Sequence, residues 1–234
     1  MQYNGGKHRQ SIYIAPIINT FLGNDLPYFE PFAGGLNIPL RVQTTHMNLS
    51  DGNAALCSMW NAALNGYKFP EFVTEDQYKD AFNLDDNNPE KAFILIGCSF
   101  GGVYKGGYAR GVNGNYASIA KRGIERKVSL LTGKVDSVSN TLWQDFWATD
   151  GVIYLDPPYR NSKGYPGLPK FDSDAFWLKC NELAKDNIVL VSECDVPESA
   201  ELLWERSVVR TLGDKGAARP VAIEKLVRVH YHAI

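Results

Sequence analysis

The tetrapeptide Asp156-Pro157-Pro158-Tyr159 is the part of the sequence whose residue types most clearly suit a chemical task. It directly follows the apolar run Gly151–Leu155, and two successive prolines prevent a helix or strand from continuing there. The prolines also fix the backbone, so an acid, a carbonyl and a ring are presented with little freedom. The carboxylate and a proline carbonyl can accept both hydrogens of an exocyclic amine while the ring stacks on a base. The tetrapeptide therefore predicts a site for an amino-bearing heteroaromatic ring.

Two further strand ends suggest a nucleotide-like ligand. The segment Phe29–Gly35 reads FEPFAGG, and its glycines let the chain turn tightly beside a ligand. Asp51 follows roughly twenty residues on, the distance at which an acid reaches the ribose hydroxyls of an adenosine-containing cofactor. The same residues would also fit an ordinary turn at Gly34-Gly35 and a helix cap at Asp51, with no ligand involved. The interpretation of Gly34-Gly35 and Asp51 as ligand-binding residues therefore depends on the third strand end, at Asp156.

Charge is distributed unevenly along the chain. The 24 Lys and Arg against 26 Asp and Glu give a net charge of −2, which alone argues against a nucleic-acid ligand. However, segment 71–90 holds seven acids and one base, whereas segment 101–134 holds seven bases and one acid. The basic segment also contains eight glycines and three tyrosines, a composition that suits phosphate contact and base stacking. We therefore predict nucleic-acid binding there and a solvated face for the acidic segment.

Alternating helices and strands are predicted to position these residues. Predicted helices cover 11–22, 36–42, 54–64 and 174–184; predicted strands cover 28–32, 46–49, 151–155, 187–191 and 221–230; 93–98 fits either. Strands that each run into a glycine or polar turn indicate an α/β fold with a largely parallel sheet.

The composition excludes several classes of protein. With 44% hydrophobic and 12% aromatic residues, the 234-residue chain is not expected to be disordered. No apolar run has membrane-spanning length and the start lacks a secretory core, so a cytoplasmic location is expected. The four cysteines lack CxxC spacing and are expected to be free thiols. His230 and His232 have no third ligand in view, so no metal site is predicted.

Together, these motifs resemble the Dam-type DNA adenine-N6 methyltransferases, whose cofactor motif comes first, recognition region next and catalytic motif last. The resemblance depends on DPPY after a hydrophobic strand, the FEPFAGG turn and the amino-terminal GGK of Gly5–Lys7. Phe93–Gly102 with Asn115-Tyr116, and Glu224–Leu226, are reminiscent of further family segments. The resemblance spans nearly the whole chain. Leu36, however, stands where a second spaced glycine is expected, and Cys98–Gly102 departs from the family's Cys-Phe-Asn-Gly core.

The resemblance implies a Rossmann-like methyltransferase sheet with helices on both faces, formed by residues 1–65 and 136–234, with an inserted target-recognition region at 66–135. It implies S-adenosylmethionine as cofactor and double-stranded DNA as partner, with no membrane or metal, in a monomer or weak dimer. The implied catalytic residues are Asp156, Pro157, Pro158 and Tyr159. The implied cofactor-binding residues are Tyr3, Gly6, Lys7, Glu30, Phe32, Gly34, Gly35, Asp51, Asp145, Phe146 and Asp156. The predicted DNA contacts are Lys105, Arg110, Asn115, Tyr116, Lys121, Arg122, Arg126 and Lys127.

The reaction that the resemblance implies is direct methyl transfer to an adenine amine. Asp156 and the Pro157 carbonyl would hold the amine with its lone pair toward the sulfonium methyl, while Tyr159 stacks on the flipped base. Ser192-Glu193 either lines the base pocket or caps a strand, and Lys163–Lys170 is either a loop closing over DNA or a plain surface loop.

Alternative functions remain open from the sequence. The catalytic motif alone would also serve cytosine N4 or RNA adenine, and a catalytically inactive DNA-binding protein could retain the fold. A glutamine-side-chain methyltransferase would be expected to carry Asn at position 156, so the sequence argues against that activity.

Overall fold

The computed structural model of the chain describes residues 1–23, 26–111, 115–160, 169–209 and 221–233. In these ranges seven strands form one sheet: β1 Tyr28–Glu30, β2 Met47–Asp51, β3 Val135–Asn140, β4 Val152–Leu155, β5 Ile188–Glu193, β6 Glu201–Val209 and β7 Val221–Val229. The helices are α1 Ser11–Leu22, α2 Ala54–Leu64, α3 Glu75–Asp80, α4 Pro89–Gly97, α5 Tyr116–Leu131 and α6 Ser173–Leu183. Short 3₁₀ turns lie at Pro39–Arg41, Ala81–Asn83 and Phe100–Gly102.

The strand order across the sheet is β3-β2-β1-β4-β5-β7-β6. The strands from β3 to β5 are parallel, whereas β7 runs antiparallel to both β5 and β6. After β1 the chain continues to β2, on one side of the central pair of strands. After β4 it continues to β5, on the other side. The loops that follow β1 and β4 therefore diverge and leave a crevice at the carboxyl ends of these central strands, the usual place for a ligand in such sheets.

Both faces of the sheet are covered by helices. On β4, Val152 and Tyr154 belong to the larger hydrophobic cluster with α1, α2, α4 and α5, whereas Ile153 and Leu155 belong to the smaller cluster with α6. Alternate side chains of one strand thus enter two cores, which explains why the strand reads as a continuous apolar run. The predicted α/β fold with helices on both faces is confirmed.

Region 66–135, predicted as an insertion, is largely helical. Asn115 caps α5, and its Oδ1 accepts a hydrogen bond from the Ala117 backbone N–H at 2.9 Å. Ala117, Ala120 and Ile124 of α5 are buried in the larger core, together with Phe93 of α4. The region therefore packs against the same core as the sheet, while its role in target recognition stays a prediction.

The segment 36–42 differs from its prediction. It was expected to begin a helix, but only Pro39–Arg41 forms a 3₁₀ turn. Leu36 has a φ of 53°, in the left-handed region, and a right-handed helix cannot start from that conformation. The ambiguous segment 93–98 is resolved as part of α4. Cys57, Cys98 and Cys180 are buried, and Cys194 is partly buried.

Candidate active site

A cavity opens at the carboxyl ends of β1 and β4, at the crevice between the diverging loops. It has an empty volume of about 980 Å³ including its open mouth. Its walls come from six segments: the amino-terminal residues 3–7, the loop after β1, the end of β2 with the residues that follow it, the loop after β3, the loop after β4 and residues 169–171. Nine of the predicted cofactor-binding residues line it, namely Tyr3, Gly6, Lys7, Glu30, Phe32, Gly34, Gly35, Asp51 and Asp156.

The glycine turn after β1 is held by contacts from several directions. The Gly34 N–H donates to Asp51 Oδ2 at 2.9 Å, and the Gly34 carbonyl accepts from the Trp60 indole N–H at 2.9 Å. The Tyr3 side chain lies directly on the turn, since a Cβ at Gly34 or Gly35 would come within 2.9 Å of it. Glycine is required at both positions because the tyrosine occupies the space that a side chain would need.

Leu36 follows the glycines in a backbone conformation that normally favours glycine. Its φ is 53°, and its N–H closes the turn by donating to the Ala33 carbonyl at 2.9 Å. The side chain is fully buried in the larger core. The loop thus adopts the left-handed conformation expected of a second glycine, and burial of the leucine side chain offsets the backbone cost.

Asp51 at the end of β2 uses both carboxylate oxygens. Besides Gly34, it accepts a hydrogen bond from the Asn53 N–H through Oδ1 at 2.9 Å. Burial raises the pKa of Asp51, and the two backbone hydrogen bonds oppose this effect. Asp51 therefore links the glycine turn to the start of α2. Asn53, rather than Asp51, caps that helix.

Asp156, immediately after β4, forms a buried charged cluster with the amino-terminal segment. Lys7 Nζ lies 2.7 Å from Asp156 Oδ1 and 2.9 Å from Glu224 Oε1 on β7. It also donates to the Tyr159 hydroxyl at 3.1 Å. The side chain of Asp156 is 16% exposed and faces the cavity, whereas that of Glu224 is completely buried behind Lys7.

The pKa values in this cluster follow from burial and charge. Burial raises the pKa of Asp156 to about 6, although the Lys7 ammonium opposes the increase. Burial alone would lower the pKa of Lys7, but the carboxylates of Asp156 and Glu224 raise it well above its usual value. Lys7 is therefore a permanent buried cation, and Asp156 is the member of the pair that titrates near neutral pH.

Two further carboxyls lie buried at this edge of the sheet. Glu30 at the end of β1 accepts a hydrogen bond from the Tyr28 hydroxyl at 2.5 Å, and burial raises its pKa well above the usual value. Glu193 at the end of β5 accepts from the Cys194 N–H at 2.7 Å, and burial raises its pKa to about 7. Glu193 does not line the cavity, and its observed contact is that of a cap.

Asp145 and Phe146 lie elsewhere than predicted. Asp145 is exposed in the turn after β3, and Phe146 packs edge-on against Phe29 in the smaller core. Neither lines the cavity, because β3 ends at Asn140 and the chain passes the cavity before it reaches them. The wall is formed by Leu142, Trp143 and Gln144 instead. Sequence reasoning also missed other wall residues, namely Asn37, Ile38, Asn53, Pro169 and Phe171.

The predicted DNA contacts fall into two groups. Lys105, Tyr116, Arg122 and Arg126 are exposed, and none of the three cations forms an ion pair with a described carboxylate. The other four are engaged within the protein: Arg110 with Glu75, Lys121 with Glu71, Asn115 with α5 and Val73, and Lys127 with the loop after β1. Lys127 is buried, so its assignment as a surface contact is revised.

Phe100 is an exposed aromatic residue that the sequence reasoning did not single out by itself. It is 79% exposed on the 3₁₀ turn Phe100–Gly102. The turn packs on the segment that carries Tyr3: the Asn4 N–H donates to the Gly102 carbonyl at 3.0 Å. A large apolar side chain held out in solvent, on a turn that contacts the amino-terminal segment of the cavity wall, is a candidate contact for a large ligand.

Most of the predicted loop Lys163–Lys170 lies outside the described residues. Within the part of the chain that is described, no group of three or more His, Cys, Asp or Glu side chains could hold a metal. His230 pairs with Glu201 at 2.9 Å. No helix in the described ranges has the length and apolar character needed to cross a membrane.

Neither a protein-family profile nor a curated protein matches the sequence. Several solved methyltransferases are similar in structure. A candidate RNA methyltransferase from Pyrococcus horikoshii has a TM-score of 0.44 and 9% identity, over 94% of this chain and 80% of that one. The 23S rRNA methyltransferase ErmE has a TM-score of 0.41 and 12% identity, over 93% of this chain and 68% of that one. A candidate methyltransferase complexed with SAH has a TM-score of 0.36 and 13% identity, over 99% and 56%. Similarity at this level assigns no activity or substrate to this chain.

Proposed function

We propose that this chain is an S-adenosylmethionine-dependent methyltransferase that modifies the N6 amine of a flipped adenine in double-stranded DNA. The observation that carries the proposal is the position of Asp156. Its carboxylate faces the cavity at the carboxyl end of a central strand, is followed by two prolines and a tyrosine, and is held in place by Lys7.

The chemistry of the cavity fits a cationic, adenosine-containing cofactor. Three carboxyls line it, namely Glu30, Asp51 and Asp156, and the buried Glu224 lies behind Lys7. Only Lys7 and Lys127 supply buried positive charge among the described residues there. A cationic ligand suits such a wall, because its positive charge would stabilise the ionised form of carboxyls whose pKa burial raises. The glycine turn and Asp51 meet at the same wall, as expected for a nucleoside-binding edge of the sheet.

When bound, the cofactor would supply an electrophilic methyl group on a sulfonium. Asp156 would accept a hydrogen bond from the target amine, and the Pro157 carbonyl would accept the second. These bonds orient the nitrogen lone pair, which is otherwise delocalised into the ring, so the rate gain comes mainly from alignment and electrostatics. Lys7 keeps Asp156 ionised and in position, and Tyr159 provides the ring that stacks on the base.

The exposed cations Lys105, Arg122 and Arg126 support a nucleic-acid substrate, because they are available for phosphate contacts. Phe100 adds an exposed aromatic side chain on the turn that packs against the amino-terminal segment. A base can reach Asp156 only if it leaves its duplex, and an apolar side chain can occupy the space that it vacates.

The test is to incubate the protein with S-adenosylmethionine and unmethylated duplex DNA, or with RNA of the same sequence, and to identify the modified nucleoside by mass spectrometry. We expect N6-methyladenine in DNA, and about a 100-fold or greater loss of rate in Asp156→Ala. Asp186→Ala is the matched control, because this exposed acid precedes β5 at the opposite edge of the sheet.

The other outcomes separate the alternatives. Methylated cytosine N4 would change the target base, and modification of RNA alone would change the substrate. Binding of both the cofactor and duplex DNA without any methylated product would favour a catalytically inactive DNA-binding protein. Full activity of Asp156→Ala would contradict the proposed mechanism.

A further inference from the structure

Lys127 faces the interior, although it lies in the basic segment that the charge pattern assigned to DNA. It is on α5, and its Nζ donates to the Gly35 carbonyl and, at 2.9 Å, to Asn37 Oδ1. Arg126, the preceding residue, is exposed on the same helix. Two adjacent cations of similar sequence context therefore point in opposite directions, one toward solvent and one toward the loop after β1.

The contacts of Lys127 lie on the outer side of that loop. Neither Lys127 nor Trp60 lines the cavity, yet they hold the carbonyls of the successive residues Gly35 and Gly34. Lys127 Nζ also lies 5.9 Å from the centre of the Trp60 ring. Because both carbonyls are bound from behind, their negative ends are kept away from the cavity.

Lys127 also sets the orientation of the Asn37 amide. The amide oxygen accepts from the lysine, so its nitrogen points to the other side, toward Gly6. A Cβ at Gly6 would come within 2.5 Å of that nitrogen. Asn37 and Gly6 both line the cavity. The lysine thereby fixes which end of the amide is presented to a ligand, since a carboxamide has one donating and one accepting end.

The burial of the Lys127 ammonium destabilises the folded state when only the fold is considered. The observed hydrogen-bond partners of Lys127 are two neutral oxygens, and a buried ammonium without a carboxylate partner loses more hydration than neutral acceptors return. Burial lowers the pKa of Lys127 to about 8, while Glu30 opposes this shift. An apolar residue of the same length would fill the space between α5 and the loop without that cost.

We propose that Lys127 is a positioning residue for the cofactor: from α5 it holds the Gly34–Asn37 loop in the shape that binds the cofactor, and it does not contact DNA. The inference rests on the proposed function, because it concerns the same cavity. It also implies that the helix carrying the exposed cations is fastened directly to the cofactor loop.

The test measures two affinities separately in Lys127→Met and in the matched charge-removal control Arg126→Met. S-adenosylhomocysteine affinity is measured by calorimetry, and duplex DNA affinity by fluorescence anisotropy at several salt concentrations. In Lys127→Met we expect the Kd for S-adenosylhomocysteine to rise about 10- to 100-fold, with the salt dependence of DNA binding unchanged. In Arg126→Met we expect the reverse, with unchanged cofactor affinity and a flatter salt dependence.

Lys127→Gln provides a second variant in case the methionine side chain prevents folding, and circular dichroism verifies the fold of each. Because glutamine can still donate to a carbonyl, its cofactor Kd should fall between those of wild type and Lys127→Met. Wild-type cofactor affinity in either well-folded Lys127 variant overturns the inference, as does loss of the DNA salt dependence in Lys127→Met. A wild-type protein that binds no S-adenosylhomocysteine overturns the proposed function, and the positioning role with it.

Discussion

At the scale of single residues, two opposing effects act on the pKa of Asp156. Burial raises its pKa to about 6, and Lys7 acts in the opposite direction. The ionised carboxylate is the form that accepts hydrogen bonds from an amine, so activity requires a pH above this pKa. We expect kcat/KM to rise with pH through about 6 and then level off, in a steady-state pH profile. A profile without an acidic limb in that range would contradict the assigned role.

Removal of Lys7 should move this acidic limb. Lys7→Met removes the cation that lowers the pKa of Asp156, so burial acts unopposed and the pKa rises. We expect the limb to shift to higher pH by about 1 unit in the same pH profile. Arg9→Met is the matched control, because Arg9 is exposed two residues along the same segment. If both variants leave the limb in place, the contact between Lys7 and Asp156 does not govern ionisation.

Leu36 offers a test of backbone strain in the loop after β1. Its φ of 53° penalises any residue with a Cβ, whereas its buried side chain stabilises the fold. Both Leu36→Ala and Leu36→Gly lose that burial, at about 2–5 kcal/mol. Only glycine relieves the backbone, so Leu36→Gly should be more stable than Leu36→Ala by about 1 kcal/mol. Denaturant unfolding of the pair measures the difference, and equal or reversed stabilities would exclude strain at this position.

At the scale of elements, the sequence predicts best where the pattern is local. The bounds of α1 and α2 match their predictions, and β4 with its terminal Asp156 lies where the apolar run and the prolines indicated. The helix α5 was missed because its buried face combines Ala117, Ala120 and Lys127 with only two large apolar residues, Ile124 and Leu131, and so gives a weak apolar stripe. The edge strand β3 was missed because most of its residues are polar and exposed.

The orientation of individual side chains could be predicted less well than the elements. Glycines and acids at strand ends indicated the cavity, since parallel strands must end at one edge. No local pattern distinguishes the inward-facing Lys127 from the outward-facing Arg126, because the difference depends on a loop some ninety residues away. Similarly, Glu224 was placed only in a terminal motif, and its position behind Lys7 follows from the antiparallel pairing of β7 with β5.

The role of the Phe100–Gly102 turn in DNA binding can be tested directly. Gly101 and Gly102 have φ values of 72° and 67°, and a Cβ at Gly102 would come within 2.7 Å of the Gln2 backbone. The turn therefore holds Phe100 outward from the segment that carries Tyr3. We expect Phe100→Ala to weaken binding of duplex DNA about tenfold in an anisotropy titration, through the loss of stacking on bases.

Leu178→Ala is the control for that prediction. Leu178 is also a large exposed apolar residue, but it lies on α6, which covers the other face of the sheet. Its removal should leave DNA affinity unchanged. An equal effect of the two substitutions would indicate a general loss of surface apolar area rather than a contact made by the turn.

At the scale of the whole molecule, the acidic and basic segments are partners in the fold. Arg110 binds Glu75 through two hydrogen bonds of 3.1 and 2.6 Å, and Lys121 lies 2.7 Å from Glu71. Part of the positive charge of the basic segment is thus neutralised locally by the acidic segment of the same chain. The number of bases in a segment therefore overstates the positive surface available to a polyanion.

The ion pair of Arg110 with Glu75 leads to a prediction opposite to the one obtained by counting the bases in the segment. Because Glu75 already occupies Arg110, Arg110→Ala should leave the salt dependence of DNA binding nearly unchanged. Glu75→Gln frees the guanidinium, so it should tighten binding and steepen the slope of log K against log salt by about 1. Glu182→Gln, an exposed acid on α6, changes the net charge equally and should not alter the slope. Anisotropy titrations at several salt concentrations measure the slope of log K against log salt for each variant. A flatter slope in Arg110→Ala, with no change in Glu75→Gln, would mean that Arg110 leaves its carboxylate partner to contact phosphate in the wild-type complex.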